Sequence, residues 1–500
     1  MSVPVCLLIP PSPFLLDERV FMSLGILRVA ACLEKAGIPV EVLDLSGIEN
    51  YLEAVEDHVR NTESETFCLT ATTPQMPSAA KIAERIRSLH PSANLILGGP
   101  HPTLVYAAFK KEMAKGLGSS GRAGRAGSRL QGTFDVIVAG DGERSIFEAI
   151  SPDHRGFIID ADDPKTDFFL TNKTLDELPF PARHLVDMDS YHYSIEGERA
   201  TSLICQLGCP FGCGFCGGRA SPMLRRVRTR TTESVVSEMR HLYETYGYKG
   251  FMLYDDELNV NPQMIPMMNA IADLQEDLGV QFKLRGFIKS QLFSDPQAKA
   301  MHRAGFRWIL TGFESGSPRI LENIQKRATR DDNTRCVDIA RKNGLKVKAL
   351  MSVGHPGESL ETIGETRSWI LENRPEDFDV TIITPYPGSP YYDEAVQNEA
   401  GDWVYTYKET GDRLYAKEVD YFQTADYYKG DPNGGYQSYV WTDALSPDLL
   451  VSERDRLEKG IRQALGIAYN PASPAMRFEH SMGQGLPEKI LKKSLVSAAL

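Results

Sequence analysis

The sequence predicts an α/β protein made of tandem parts. An N-terminal doubly wound, Rossmann-like parallel sheet comes first, then a central partial TIM-like (β/α)6 barrel, then a small C-terminal region of α+β or helical character. Three observations lead there. Short apolar runs alternate with helical periodicity over residues 1–150, and do so again over 201–395. Residues 151–200 lose that alternation and hold the proline-stiffened segment Leu178-Pro-Phe-Pro-Ala-Arg183, as a linker does. After Tyr392 the pattern turns irregular and aromatic, which sets 396–500 apart as a capping region. Five hundred residues suffice for two or three domains, each with its own core.

In the first part, residues 4–9 form an apolar strand that Pro10 and Pro11 end. Leu24, Leu27, Ala30, Ala31 and Leu33 mark a helix over 22–36, and Gly37 closes it where a left-handed cap belongs. Strands follow at 40–43, 67–70, 95–97 and 135–138, with helices at 49–60, at 78–89 and from about Glu143. Such alternation marks a parallel sheet covered on both faces. Ligands of these sheets bind beyond the carboxyl ends of the strands, at the switch in strand order. Three segments stand there: 70–74, which contains Thr72; Gly98-Gly99-Pro-His101; and Gly140-Asp-Gly142-Glu143. Their glycines let backbone approach a flat or phosphate-bearing ligand, and each is equally an ordinary strand-to-helix turn. His101 is the metal-ligand candidate of this half, against the commoner role of a hydrogen-bonding loop residue. Residues 114–130 carry Arg122, Arg125 and Arg129 without apolar periodicity. They read as a flexible surface insertion or as a basic flap over an anionic ligand.

With 42% hydrophobic and 24% charged residues the composition is that of an ordinary globular protein, and a net charge of -12 argues against a nucleic-acid partner. No apolar run reaches the length that spans a bilayer, so no integral membrane segment is expected. Residues 3–16 are apolar, but they lack a basic start and four prolines break them. They read as a buried strand and loop rather than a signal peptide. Eight cysteines, four of them within twelve residues, do not make a disulfide framework and point to a reducing cytoplasm.

The central series opens with a strand at 202–205 and the loop Cys205-Gln-Leu-Gly-Cys209-Pro-Phe-Gly-Cys213-Gly-Phe215-Cys216. Strands follow at 250–254, 281–288, 308–313, 346–353 and 379–384. Helices lie between them at 230–246, 261–277, 295–304, 318–327, 331–343 and 359–373. In a parallel barrel the chemistry sits at the C-terminal strand ends, where Asp255, Asp256, Glu257 and Glu314 fall. Acids at strand ends also read as solvated or helix-capping groups. Cys209, Cys213 and Cys216 stand at C-x3-C-x2-C spacing, which can turn three thiolates onto one centre. Soft sulfur ligands select iron–sulfur clusters, zinc or copper(I). Structural zinc wants four ligands, usually as two separated pairs. Cys205 reads as a fourth thiolate or as a buried, inert thiol. Three thiolates leave one iron of a cubane open to an exogenous ligand. Arg285 and Lys289 read as holders of a substrate anion or as surface charge, and Cys6, Cys32, Cys68 and Cys336 as core.

The last hundred residues hold Trp403, Tyr405, Tyr407, Tyr415, Tyr421, Phe422, Tyr427, Tyr428, Tyr436, Tyr439 and Trp441. Such density packs a small domain against the barrel mouth or lines a substrate pocket. An amphipathic helix is predicted over 447–465 and a short one over 487–500.

Cys209-Pro-Phe-Gly-Cys213-Gly-Phe215-Cys216 resembles the signature of the radical S-adenosylmethionine (radical SAM) superfamily, down to the aromatic before the last cysteine. Gly312-Phe-Glu314-Ser-Gly316 resembles its fourth-strand motif, Val353-Gly-His-Pro-Gly-Glu358 its fifth, and Pro385-Tyr-Pro-Gly-Ser-Pro390 the turn after its sixth strand. The glycine turns upstream resemble the cobalamin-binding domain of the B12-dependent branch. The Asp-x-His-x-x-Gly loop that elsewhere supplies a histidine to cobalt is missing.

The resemblance implies a [4Fe–4S] cluster on the three cysteines, SAM on its open iron, and cobalamin without a lower histidine. It implies that Phe215 contacts adenine, that Asp255, Asp256 and Glu257 receive the amino group of SAM, and that Glu314 bonds substrate or SAM. Thr72, Gly98, Gly99, His101, Gly140, Gly142 and Glu143 are the implied cobalamin contacts. The implied activity is methylation of an unactivated carbon in a small molecule of natural-product, lipid or cofactor biosynthesis. Reduced cobalamin takes a methyl from one SAM. A second SAM yields the radical that abstracts a substrate hydrogen, and the carbon radical takes the methyl. An electron donor such as flavodoxin or ferredoxin is the implied partner. A cyclase or rearrangement enzyme using the same cofactors, and a non-catalytic cobalamin or redox sensor, are the alternatives.

Overall fold

Residues 3–12, 15–431, 434–478 and 491–494 are described in the computed structural model of the protein. Six parallel strands make the first sheet: β1 (Val5–Ile9), β2 (Val40–Asp44), β3 (Thr66–Thr70), β4 (Asn94–Gly98), β5 (Val136–Gly140) and β6 (Ile158–Ala161). Their order is β2-β1-β3-β4-β5-β6. Every residue of β1 is buried, as expected of a strand covered on both faces. Helices α1 (Leu24–Lys35), α2 (Tyr51–Asn61), α3 (Met76–Leu89), α4 (Pro100–Ala114), α5 (Arg122–Gln131) and α6 (Gly142–Ala149) supply the cover. The strand order reverses between β1 and β3, which opens the ligand crevice of such sheets at their carboxyl ends.

Two features depart from the sequence reading. The stretch read as linker contributes β6, which pairs with β5 from Ile137↔Ile158 to Gly140↔Ala161. That pairing needs Gly140, whose φ is +114 and where a Cβ would lie 2.2 Å from the Ala161 carbonyl carbon. The insertion at 114–130 is neither a loose loop nor a flap over a ligand. It forms α5, and its arginines grip the C-terminal region. Arg122 donates to Glu418 at 3.1 Å and lies over the Tyr392 and Trp403 rings, while Arg129 donates to Asp420 at 2.5 Å. The opposite charges sit some 300 residues downstream, where no local pattern reports them.

The second series is β7 (Glu198–Leu203), β8 (Gly250–Leu253), β9 (Lys283–Gly286), β10 (Trp308–Glu314), β11 (Lys346–Val353) and β12 (Asp377–Ile382). The first three pair in parallel, as do the last three. The bridges Leu284↔Phe306 and Phe287↔Leu310 join the two sets into one open barrel wall. The helix Thr232–Tyr246 starts on Thr231, whose hydroxyl accepts the Ser234 N–H at 3.3 Å. Arg183, at the end of the Leu178–Arg183 joint, is buried in the barrel side and donates to Glu238 at 2.8 Å, while Arg230 holds the other Glu238 oxygen at 2.5 Å. Burial by itself would raise the Glu238 carboxyl, and the arginines overcome it and hold it at about 2.

The C-terminal aromatics build a four-stranded antiparallel sheet (Val396–Gln397, Trp403–Thr406, Arg413–Ala416, Val440–Trp441), and the helix Pro447–Leu465 follows. That helix puts Leu450, Leu457 and Ile461 into the barrel core and meets the free edge of β12 with charged side chains. Arg454 donates to the Val380 carbonyl at 2.6 Å, Glu458 accepts the Val380 N–H at 3.0 Å, and Arg462 donates to the Phe378 carbonyl at 2.7 Å. Side chains thus satisfy an edge that would otherwise invite another strand. The helix predicted over 487–500 lies outside the described residues except for 491–494. Those run extended instead, with Leu491 bridging Asp17 and Lys493 bridging Ile48.

Candidate functional site

The loop that follows β7 carries the three clustered cysteines, and neighbours from both domains fix it in place. Cys205 and Gln206 donate their N–H groups to Asp255 Oδ1 at 2.7 and 3.0 Å, and Gly208 donates to Asp256 Oδ2 at 3.1 Å. The Gly214 N–H donates to the Ile324 carbonyl at 2.8 Å, and a Cβ on Gly214 would come within 2.7 Å of the Tyr391 ring. From the first sheet, Asp162 just after β6 accepts from Ser221 at 2.6 Å and from the Met223 N–H at 2.8 Å. A Cβ on Gly217 would sit 3.2 Å from Leu104 of α4. The loop is therefore wedged between both domains.

Within it, Cys209 and Cys213 are partly exposed and Cys216 is exposed, while the other five cysteines are buried. Partial burial pushes the Cys209 thiol up to about 12. A multiply charged metal centre is what turns such thiols into thiolates. The three sulfurs are not gathered within 4.8 Å of one another, as ligands of a single ion would be. That spread fits a cluster in which each sulfur takes a different iron. Cys205 is fully buried, so it is the inert thiol of the two readings rather than a fourth ligand.

Asp255 spends one oxygen on the loop backbone. Its Oδ2, like Glu257 Oε2, is buried without a partner. Burial pushes both carboxyls up to about 7, with Lys326 and Lys289 pulling Glu257 back. Two orphaned acceptors beside the loop fit a group that brings an amine. Lys289, read as substrate-anion holder or surface charge, is 1% exposed and lies 4.1 Å over the Phe211 ring. Arg285 is buried as well, 3.4 Å from the Tyr193 hydroxyl. Neither is a surface charge.

Glu314 takes a left-handed φ of +65 at a bulge where the β10–β11 register shifts. A bulge of this kind re-aims a side chain. It places Glu314 against Lys326 Nζ and Ser352 Oγ, each donating at 2.7 Å. A Cβ at Gly312 would stand 2.5 Å from the Glu314 carboxylate, so the glycine makes the room. Burial alone would raise the Glu314 carboxyl, and Lys326 with Ser352 reverses this and holds it low. His355 lies with Nε2 2.8 Å from Ser352 Oγ and Nδ1 3.3 Å from the Tyr391 hydroxyl. Burial lowers it to about 4, so it is neutral at pH 7. Its ring centroid is 5.4 Å from that of Phe215. Lys326, Ser352, His355 and Tyr391 escaped the sequence reading. His355 alone stood inside a quoted motif, and the rest carried no local signal.

The strand ends of the two domains face each other across an open cleft of about 450 Å3. That lies within the 300–1,000 Å3 typical of small-ligand pockets. One wall is Thr70, Thr72, Gly98, Gly99, Gly140, Gly142 and Glu143 over an apolar floor of Leu7, Leu69, Ile96 and Val138. The other is Gln206, Leu207, Gly208, Met223, Leu224, Tyr254 and Asp256. Arg228 pairs with Asp141 across the seam. Gly99 has a φ of +95, and a Cβ there would lie 2.6 Å from Thr70 Oγ1. An open, glycine-rimmed, apolar-floored cleft fits a flat cofactor. No histidine is among the described residues that line it.

His101 is the one predicted contact of this wall that the structure turns away. It is buried, with Nδ1 3.2 Å from Thr73 Oγ1 and its ring edge-on to Tyr421 at 5.8 Å. Burial lowers it to about 3. His101 is thus a buried, hydrogen-bonded residue of the first turn of α4.

Residues 203–370 match the family model of the Radical SAM superfamily, and residues 18–118 match that of the B12 binding domain. An uncharacterized methyltransferase of Pyrococcus horikoshii is 24% identical over 410 residues, which are 79% of this chain and 83% of that protein. The anaerobic magnesium-protoporphyrin IX monomethyl ester cyclase of Rubrivivax gelatinosus is 23% identical over 376 residues, 72% of this chain and 64% of that one. Among solved structures, the radical S-adenosylmethionine methyltransferase TsrM from Kitasatospora setae, with cobalamin and a [4Fe-4S] cluster bound, superposes with a TM-score of 0.64. It is 17% identical, covering 94% of this chain and 92% of that one, so the likeness is one of fold.

Proposed function

Because the chain belongs to the radical SAM superfamily and carries a B12-binding domain ahead of its barrel, we propose that it is a cobalamin-dependent methyltransferase acting on an unactivated carbon of a small molecule. The observation that carries this reading is the shared cleft. The glycine rim of the first sheet and the cysteine-loop side of the barrel line one space, so a methyl carrier on one wall faces a radical source on the other.

Bound together, the [4Fe–4S] cluster, SAM and cobalamin supply one-electron C–S cleavage and methyl transfer. The chain's own residues hold and orient. Cys209, Cys213 and Cys216 are the cluster ligands in this reading. Asp255 Oδ2 and Glu257 Oε2 accept from the SAM ammonium, and Phe215 packs on adenine beside neutral His355. Glu314, kept ionised by Lys326, accepts from substrate or SAM. Gly98, Gly99, Gly140 and Gly142, with Thr72 and Glu143, cradle the corrin. We assign electron supply to a flavodoxin- or ferredoxin-type donor. The eight free thiols suit a reducing cytoplasm. No described helix is long and apolar enough to cross a membrane.

A cyclase that uses the same cofactors is the second reading, supported by the likeness to the Rubrivivax enzyme. Incubation of anaerobically reconstituted protein with methyl-labelled SAM and candidate substrates separates them. Methylation yields labelled product, S-adenosylhomocysteine and 5′-deoxyadenosine. Deoxyadenosine without S-adenosylhomocysteine turns the reading to the cyclase, and neither product turns it to a sensor.

A further inference from the structure

On the far face of the first sheet from the cleft, three donor atoms converge that the function above does not use. Cys6 is the second residue of β1 and Glu41 the second of β2, and the two are register partners in the parallel ladder. Partners in register point to the same face. His58 of α2, which packs over that face, closes the triangle. Cys6 Sγ lies 3.3 Å from His58 Nε2, and His58 Nε2 lies 3.1 Å from Glu41 Oε2. All three donor atoms fall within 4.8 Å of one another, and they are the one set of three or more His, Cys, Asp or Glu donors among the described residues that do so.

We propose that Cys6, Glu41 and His58 form a second metal site, which takes a single Zn2+-type ion as a structural pin. The chemistry of the donor set selects the ion, since one thiolate, one imidazole and one carboxylate suit a borderline-soft divalent cation. Tetrahedral zinc with bonds of about 2.3 Å to sulfur and 2.0–2.1 Å to nitrogen and oxygen spaces its ligands about 3.3–3.6 Å apart. The sulfur–nitrogen and nitrogen–oxygen separations already stand close to that range. A thiolate and a carboxylate neutralise the dication, and the Cys6 thiol gives its proton to solvent as the Zn–S bond forms. Thr62 donates to Glu41 Oε2 at 2.6 Å, the kind of outer hydrogen bond that aims a ligating carboxylate. Cys6 is fully buried, whereas the His58 and Glu41 side chains are 17% and 33% exposed. An ion therefore enters from solvent over those two, and water fills the fourth position. Without metal the same atoms make a His58–Glu41 contact with Cys6 Sγ beside the same ring nitrogen. With metal, edge strand β2, α2 and β1 are tied at one point. Cys6 sits three residues, about 10 Å, from the strand end that borders the cleft, so this site is separate from the cysteine loop.

The test counts two metals in one protein. The full chain is reconstituted anaerobically with iron and sulfide, incubated with one equivalent of Zn2+ and desalted. One zinc should remain beside the cluster iron, and Cys6→Ser should lose the zinc and keep the iron, which also reports an intact fold. Retention of zinc by Cys6→Ser, or no zinc in the unaltered protein, overturns the proposal. Should Cys6→Ser lose iron as well, Co2+ added to the full chain with Cys209, Cys213 and Cys216 all changed to Ala decides. A thiolate-to-cobalt band that His58→Ala weakens at least tenfold supports the site, and a band indifferent to His58→Ala, or no band, refutes it. Failure here leaves the methylation assay untouched, and failure there leaves the zinc count untouched.

Discussion

The two walls of the cleft are built from opposite materials. On the first sheet the contact surface is backbone: Gly98, Gly99, Gly140 and Gly142 over aliphatic side chains, with Gly99 and Gly140 at positive φ and other main chain so close that a Cβ would collide. On the barrel side a lining of Gln206, Leu207, Gly208, Met223, Leu224, Tyr254 and Asp256 is backed by buried ionisable side chains. Orphaned carboxylate oxygens sit on Asp255 and Glu257, two buried lysines stand near them, and Glu314 is aimed by a bulge. A wall of the first kind selects by shape and tolerates little added volume. A wall of the second kind selects by charge and changes state with its occupants. Substitutions on the two sides should therefore fail in different ways.

The largest effect belongs to the barrel wall. Cys213→Ala should bring deoxyadenosine formation to background and remove the iron–sulfide absorbance while leaving corrinoid binding in place; persisting deoxyadenosine would falsify the cluster assignment. Next comes Lys326→Met, which strands the Glu314 carboxylate in a buried site. Breaking a buried pair from one side costs about 3–5 kcal/mol, read as a drop in unfolding free energy in urea, and a change under 1 kcal/mol would show the pair to be idle. On the glycine wall, Gly99→Ala puts a side chain at a φ of +95 and against Thr70. Strain of that kind costs about 1–3 kcal/mol. The corrinoid should be lost on desalting while iron is retained, and loss of iron with the corrinoid would erase the distinction between the walls.

The gentlest effect is a slope with pH, and it should run in opposite directions at two buried groups. Asp255 is raised from 3.8 to about 7 on folding. The folded state then binds the extra proton, so this group's contribution to stability is lost as pH rises from about 4 to 7. His101 is lowered from 6.5 to about 3. Here the unfolded state binds the extra proton, and stability is lost as pH falls below about 6.5. In the cofactor-free protein, Asp255→Asn should gain on the unaltered chain as pH rises toward 7, and His101→Asn as pH falls. Each slope is at most about 1.4 kcal/mol per pH unit. Parallel slopes in a melting series would refute the assignment of opposite protonation states.

How much of this was legible follows the same division. The cysteine loop announced itself by spacing, since three thiols within eight residues need no distant partner to be recognised. Thr72, Gly98, Gly99, Gly140, Gly142 and Glu143 were found because strand-to-helix turns recur at one end of any parallel sheet, and all six line the cleft. His101 stands in the same turn and points elsewhere, held by Thr73. Position in a turn says which end of the sheet a residue occupies, not which way its side chain faces. Lys326 and Ser352 were missed because their roles exist only through Glu314, 12 and 38 residues away. The arginines of α5 were misread for the same reason: a basic run looks solvated until its acids, on another domain, are brought to it.

By itself the sequence determined the two βα series, their order, the cysteine triad and the end of each sheet where chemistry belongs. These follow from periodicities and spacings that span a dozen residues or fewer, over which backbone geometry is nearly fixed. Only the tertiary structure decided that the two sets of strand ends share one cleft, that β6 and Asp162 brace the cysteine loop, and that charged side chains close the β12 edge. The same holds for Cys6, read as core, which lies beside Glu41 and His58. Each of these joins groups tens to hundreds of residues apart, and their energies depend on burial and on distances that only the packed chain sets.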